Sequence, residues 1–306
     1  MRVLFAGTPA VAVPSLDALI KAGFDVVAVL TRPDAPLGRK RVLTPSPVAA
    51  RAEELGIEVI RAAKVDADTT ARIAGLAPDV AAIVAYGGIV PRAALEIPVH
   101  GWVNLHFSLL PAWRGAAPVQ RSIIAGDDVT GAVTFQLEAG LDTGPVFGTL
   151  TETVRDDDTA GDLLDRLSIS GAVLLCQTLS AIDAGQAAPQ PQSGEVTLAP
   201  KLSLEDGRLD WQQPALALQR RSRGVTPEPG AWTTLEGQRI KLEPVRLRPE
   251  VKDLGPGMLR AEGKSVLVGT GSHAVELGRI QPSGKKMMSP ADWARGLAEP
   301  GKVVFE

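Results

Sequence analysis

The residues best equipped for chemistry lie between Trp102 and Asp142. If residues 102–107 form a strand, side chains alternate between its two faces, so Asn104 and His106 point the same way. Two polar groups on one face of an otherwise apolar strand, followed at once by the loop Ser108-Leu109-Leu110-Pro111, mark a candidate site rather than plain core. Further along, Gly140-Leu141-Asp142-Thr143-Gly144 adds a carboxylate flanked by glycines. Asparagine donates a hydrogen bond without titrating, histidine moves a proton near neutral pH, and aspartate orients and charge-balances that histidine. Such a set suits transfer of an acyl group to an amine. A single strand histidine is commonly a packed structural residue, and His100 and His273 read as surface or structural residues. His106 differs in having Asn104, a tight loop and Asp142 for company.

These residues need a scaffold, and the preceding chain supplies one. An apolar run at 3–6 ends in Gly7-Thr8-Pro9, helical spacing covers 11–22, and a second buried strand is expected at 24–30. Strand, helix and strand at this spacing make a parallel β-α-β unit. The first loop lacks G-x-G-x-x-G, so a dinucleotide is not the expected ligand. Helices are expected at 48–55, 69–76, 117–125 and 160–182, and strands at 57–60, 80–85, 132–137 and 146–154. Leu163, Leu164, Leu167, Val173 and Leu174 should form the buried side of the long helix. The expected fold is α/β: a Rossmann-like, mostly parallel sheet. Such sheets bind ligands beyond the C-terminal ends of their strands, which puts Gly7, Tyr86-Gly87 and residues 104–108 on one rim. Residues 31–47 read as a long loop that proline and glycine keep out of helix and strand. Its adjacent cations Arg39, Lys40 and Arg41 suit a phosphate-bearing ligand.

At 306 residues the chain suggests two domains, and its 45% hydrophobic and 22% charged content is that of a water-soluble globular protein. No apolar run approaches the ~20 residues needed to span a bilayer, and the N-terminus reads as a first strand rather than an export signal. The single cysteine, Cys176, excludes an internal disulfide and a multi-cysteine metal site; it is expected to be a buried structural thiol, and no metal site is predicted. The cytoplasm is the expected compartment.

The net charge of −3 conceals an asymmetry. Residues 1–206 carry 16 Lys+Arg against 24 Asp+Glu, a net of −8, whereas 207–306 carry 16 against 11, a net of +5. A basic second half suggests an anionic partner. Residues 187–200 are rich in proline and poor in bulky apolar side chains, as a linker is. The expected division is a catalytic domain at 1–188, a linker at 189–206 and a C-terminal domain at 207–306. Short strands at 240–242, 266–268 and 275–277 suggest a small β-barrel of the OB type there. Arg220, Arg221, Arg223, Lys285 and Lys286 would be its cations.

At these residues the chain resembles the methionyl-tRNA formyltransferase family. The resemblance runs through Phe5-Ala6-Gly7-Thr8-Pro9, the Gly38-Arg39 loop closing on Pro45-Ser46-Pro47, and Val84-Ala85-Tyr86-Gly87. It is densest at Asn104-Leu105-His106-Phe107-Ser108-Leu109-Leu110-Pro111, Trp113-Arg114-Gly115-Ala116-Ala117-Pro118 and Gly140-Leu141-Asp142-Thr143-Gly144. Lys201-Leu202-Ser203, Asp210-Trp211 and Gln281-Pro282-Ser283-Gly284-Lys285-Lys286 extend it to the second half. The resemblance implies formyl transfer from 10-formyltetrahydrofolate to the α-amino group of initiator methionyl-tRNA, with Asn104, His106 and Asp142 catalytic. It implies a folate wall of Ser108, Leu109, Leu110 and Pro111, with Tyr86 and Gly87 alongside. It also implies tRNA contacts through Arg39, Lys40, Arg41, Lys285 and Lys286, and no obligate protein partner, the chain acting as a monomer. Ala112 departs from the basic residue relatives often carry, which should trim tRNA contacts only. Alternatives are a formyltransferase acting on a nucleotide-linked amino sugar, a formyltetrahydrofolate hydrolase, and a non-enzymatic RNA-binding protein.

Overall fold

Val3, Leu4, Phe5 and Ala6 are all fully buried, which marks a strand covered on both faces, as parallel strands are. They belong to β1 (Arg2–Gly7) in a computed structural model that describes residues 1–38, 40–297 and 303–306. The chain continues through α1 (Val13–Lys21), β2 (Asp25–Thr31), β3 (Ala35–Leu37), β4 (Val42–Thr44), α2 (Pro47–Glu54), β5 (Val59–Arg61) and α3 (Ala67–Leu76). Then come β6 (Val80–Val84), α4 (Arg92–Leu95), β7 (Trp102–His106), β8 (Arg114–Gly115), α5 (Pro118–Ala125), β9 (Val129–Gln136), β10 (Val146–Thr153), α6 (Ala160–Asp183) and β11 (Leu198–Ala199).

Seven strands form the central sheet in the order β10-β9-β7-β6-β1-β2-β5. The pairs β1·β2, β1·β6, β2·β5 and β6·β7 are parallel, and β9 and β10 join antiparallel at one side. The fold is therefore α/β with a mostly parallel sheet. The chain winds outward from β1 to β5, then returns to β6 on the other side of β1. Such a reversal opens a crevice at the strands' C-terminal ends, where Gly7, Val84 and His106 lie.

Three expectations for this part need correction. Residues 31–47 are not irregular throughout: β3 and β4 form an antiparallel hairpin pairing Leu37 with Val42 and Ala35 with Thr44. Pro36 is tolerated because a two-stranded ribbon has an outer edge that needs no N–H donor. Gly38 and Arg41 adopt positive φ in the turn, and the Arg41 N–H donates to the Gly38 carbonyl at 3.1 Å. On α6, Val173 is 55% exposed, and the buried stripe runs through Leu163, Leu167, Leu175 and Leu179. At 100° per residue position 173 rotates off the stripe set by 163 and 167. Cys176 is half-buried rather than buried, and its surroundings still push the thiol pKa up.

Two compact units divide the chain: 1–118, 129–153 and 164–199 in one, and 119–128, 154–163 and 200–306 in the other. The second holds α7 (Ala215–Gly224), β12 (Ala231–Leu235), β13 (Gln238–Leu242), β14 (Arg246–Arg248), β15 (Leu259–Glu262), β16 (Ser265–Val268), β17 (Ala274–Glu276), β18 (Ile280–Pro282) and α8 (Pro290–Ala294). Its strands pair antiparallel in two sheets, β12-β13-β18 and β14-β17-β16-β15. They enclose a core containing Trp211, Leu218, Val225, Ile240, Val268 and Ile280. Among the described residues no helix is long and apolar enough to cross a membrane.

Candidate active site

Strand alternation builds the site. Leu105 points to one side of β7, where a Cβ added to Gly171 of α6 would meet its Cδ2 at 3.1 Å. Asn104 and His106 are thereby turned to the opposite side. His106 ends β7, and Phe135 of β9 meets its ring edge-on at a centroid distance of 6.3 Å.

The loop after β7 then folds back over the histidine. Ser108 is fully buried and its Oγ donates to the Ala112 carbonyl at 2.6 Å. Trp113 adopts a left-handed backbone, φ 62°, and its carbonyl lies 3.0 Å from His106 Nε2. A carbonyl can only accept, so the neutral ring carries its proton on Nε2 and leaves Nδ1 bare. That Nδ1 faces Asp142 Oδ2 at 3.9 Å, a gap too wide for a direct hydrogen bond. The Asp142 carboxylate is held by the Gly115 N–H at 2.8 Å. The two side chains are only 8% and 12% exposed.

Burial depresses the pKa of His106, outweighing the Asp142 charge and the Trp113 carbonyl, which both raise it. His106 is thus neutral near pH 7. Asp142 favours the cationic ring, but desolvation of the imidazolium costs more than one carboxylate at 3.9 Å returns. Asn104 is half-buried, and its carboxamide makes no hydrogen bond among the described residues.

Asp142 itself is left-handed, φ 49°, as is Ala85 at the end of β6, φ 48°. With Trp113, three non-glycine residues around one site take a conformation that costs about 1–3 kcal/mol and persists only where neighbours enforce it. Gly144 is required by a close approach: a Cβ there would fall 1.7 Å from the Gln136 carbonyl oxygen. Gly115 has φ 129°, and a Cβ there would meet the Ala199 carbonyl oxygen at 2.6 Å.

The segment expected to be a linker is tied into this site. Gln190 pairs with Val146, β11 pairs with β8, and the Thr197 Oγ1 accepts from the Trp113 N–H at 2.8 Å. The Gln192 carboxamide accepts from Arg114 and donates to the carbonyls of Asp142 and Gly144. Sequence reasoning missed Gln192 and Thr197. A proline-rich stretch without bulky apolar residues has no periodicity to reveal that it is pinned by hydrogen bonds. It also missed the parts played by the Trp113 carbonyl and the Gly115 N–H, since backbone groups leave no mark in residue type.

The other expected residues divide. Leu109 and Leu110 are half-buried beside the site loop, and Pro111 is buried. Tyr86 is a core residue whose hydroxyl donates to the Ala62 carbonyl at 3.3 Å, and burial raises its pKa. The Tyr86 and Ser108 hydroxyls thus donate within the protein, to the Ala62 and Ala112 carbonyls. Gly87, φ 77°, follows Tyr86 in the loop beyond β6.

Lys40 and Arg41 are exposed at the hairpin tip, while Arg39 lies outside the described residues. Lys285 and Lys286 are exposed on the turn after β18, where the Lys285 N–H donates to the Pro282 carbonyl at 3.0 Å. Arg220, Arg221 and Arg223 are not free cations. Arg220 approaches the Ala125 carbonyl at 3.5 Å, Arg221 donates to the Asp206 carbonyl, and buried Arg223 donates to the Arg155 and Asp158 carbonyls. Burial lowers the Arg223 pKa.

The family model described as formyl transferase matches residues 1–179, and that of the formyl transferase C-terminal domain matches 201–298. A methionyl-tRNA formyltransferase of Paenarthrobacter aurescens is 87% identical over 306 residues, covering 100% of both chains. Among solved structures, a methionyl-tRNA formyltransferase from Clostridium thermocellum matches with a TM-score of 0.59 at 16% identity, covering 91% of this chain and 99% of that one. The N-formyltransferase from Helicobacter canadensis, in complex with folinic acid and dTDP-3-aminofucose, matches with a TM-score of 0.69 at 18% identity, covering 92% and 98%.

Proposed function

The chain belongs to the methionyl-tRNA formyltransferases, and from that premise we propose that Asn104, His106 and Asp142 transfer the formyl group of 10-formyltetrahydrofolate to the amino group of initiator methionyl-tRNA. The observation that carries this reading is a buried His106 with Nε2 on the Trp113 carbonyl and Nδ1 turned toward Asp142, beside an Asn104 carboxamide with unspent donors.

The α-amino group titrates near pH ~8, so a usable fraction is neutral and nucleophilic at pH 7. Its nitrogen attacks the formyl carbon, the C=O electron pair moves to oxygen, and Asn104 donates to that oxyanion. Such a donor is worth about 3–4 kcal/mol. His106 Nδ1 takes the proton the amine sheds, and the resulting imidazolium is stabilised by Asp142 on one side and the Trp113 carbonyl on the other. The C–N10 bond then breaks, and His106 returns the proton to N10. The products are formylmethionyl-tRNA and tetrahydrofolate, with the histidine again neutral.

The folate is a co-substrate. Leu109, Leu110, Pro111 and Gly87 would border its pocket, with Ser108 and Tyr86 bracing that wall from behind. A folate donor is supported by the family and by the folinic acid bound to the Helicobacter enzyme. We assign catalysis to 1–188 and tRNA binding to the antiparallel C-terminal part, an OB-like arrangement in the region 207–306. Lys285 and Lys286, with Lys40 and Arg41 of the hairpin and with Arg39, would meet phosphates; such contacts position a nucleic acid without reading its bases. A monomer in the cytoplasm suffices for this reaction.

Acid-gel mobility of charged initiator tRNA, incubated with the protein and 10-formyltetrahydrofolate, tests the reading. A shift for charged initiator but not for uncharged or charged elongator tRNA is expected. Consumption of the folate with no shift would overturn it in favour of a hydrolase or a sugar-nucleotide formyltransferase.

A further inference from the structure

Gln192 uses every hydrogen-bonding position of its carboxamide. Oε1 accepts from Arg114 Nη2 at 2.7 Å and from Nε at 3.2 Å. Nε2 donates to the Asp142 carbonyl at 2.7 Å and to the Gly144 carbonyl at 2.9 Å. A guanidinium only donates and carbonyls only accept, so the amide has one possible orientation. Asp142, whose carbonyl it grips, is left-handed and stays so only where neighbours hold it.

We propose that Gln192 is a positioning residue for formyl transfer: it locks the turn around Asp142 to the Arg114 side chain and so keeps the Asp142 carboxylate facing His106. This rests on the reading of Asp142 and His106 given above. A second contact from the same segment points the same way. Thr197 accepts from the Trp113 N–H with its hydroxyl and from the Arg114 N–H with its carbonyl, at 2.8 and 2.9 Å. The residue whose carbonyl fixes the His106 tautomer is thus held by the strand of chain that holds Asp142. Between them, Gln192 and Thr197 restrain both groups that flank the imidazole, although neither touches it.

Gln192→Ala and Gln192→Glu separate positioning from mere bracing. The glutamate keeps the acceptor for Arg114, so that brace survives, and loses both N–H donors to the Asp142 turn. Both variants should lower kcat ten- to a hundredfold and leave KM for folate and tRNA within threefold. The His106 imidazole, one of three in the chain and resolvable by NMR, should titrate at lower pH in Gln192→Ala, because Asp142 no longer opposes the effect of burial. A kcat within twofold of the parent overturns the proposal. So does a loss that follows Tm while the His106 titration stays fixed. His106→Ala and Asp142→Asn run alongside: if these keep full turnover, the catalytic reading itself fails, whereas inactive His106 and Asp142 variants beside an active Gln192→Ala fault the positioning role alone.

Discussion

Asn104 and His106 differ in what they ask of their surroundings, and their variants should differ accordingly. Asn104→Ala removes a donor needed only when charge develops, so kcat should fall about 10²–10³-fold with KM little changed, as steady-state kinetics would register. His106 carries a depressed pKa, so its protonated form favours the unfolded chain. Stability from its burial is complete above the unfolded value of about 6.5 and is lost as pH falls below it toward the folded value. The acid limb of kcat/KM should therefore lie below pH 6.5, and Asp142→Asn should move it lower still, since the carboxylate raises the pKa; a limb moving upward would contradict this assignment. Sequence made the three side chains legible because residue type and a period of two suffice to place Asn104 with His106. It did not disclose the charge state of His106, which depends on how deeply the Trp113 loop buries it.

Elements position these groups through two close approaches that only glycine permits. At Gly144 any Cβ would collide with the Gln136 carbonyl at the end of β9. Gly144→Ala must push the Asp142 turn away from the sheet, costing about 1–3 kcal/mol as overpacking does. Urea titration should reveal that loss, and kcat should fall further than stability alone explains, because the turn carries Asp142. The central strands were readable from buried runs such as Val3–Ala6, and helix α6 from its spacing. The β3–β4 hairpin was not, because its apolar residues Leu37, Val42 and Leu43 are exposed and record no core-facing pattern. The hydrogen bonding of the stretch 187–200 was hidden for a related reason. Its order comes from hydrogen bonds to Trp113, Arg114 and the Asp142 turn, and polar pinning has no hydrophobic signature.

For the molecule as a whole, the decisive quantity is which cations remain available to a polyanion. The net charges of −8 and +5 in the two stretches told of a basic C-terminal part but not where its free charge sits. Arg221 and Arg223 fasten α7 to carbonyls of residues 155, 158 and 206, within their own compact unit. Lys285 and Lys286 stand exposed on a turn. The two groups should respond to mutation in opposite ways. Each lysine that meets a phosphate contributes about 0.7–0.9 to the slope of log K against log salt. Lys285→Ala with Lys286→Ala should therefore flatten that slope by about 1.4–1.8, as filter binding of tRNA between 50 and 200 mM salt would measure, while KM for the folate holds. Arg223→Ala should leave the slope unchanged and lower Tm instead, since it strips the hydrogen bonds that tie α7 to the Arg155 and Asp158 carbonyls. A slope that fell with Arg223 and held without the two lysines would reverse the assignment of the tRNA-facing surface.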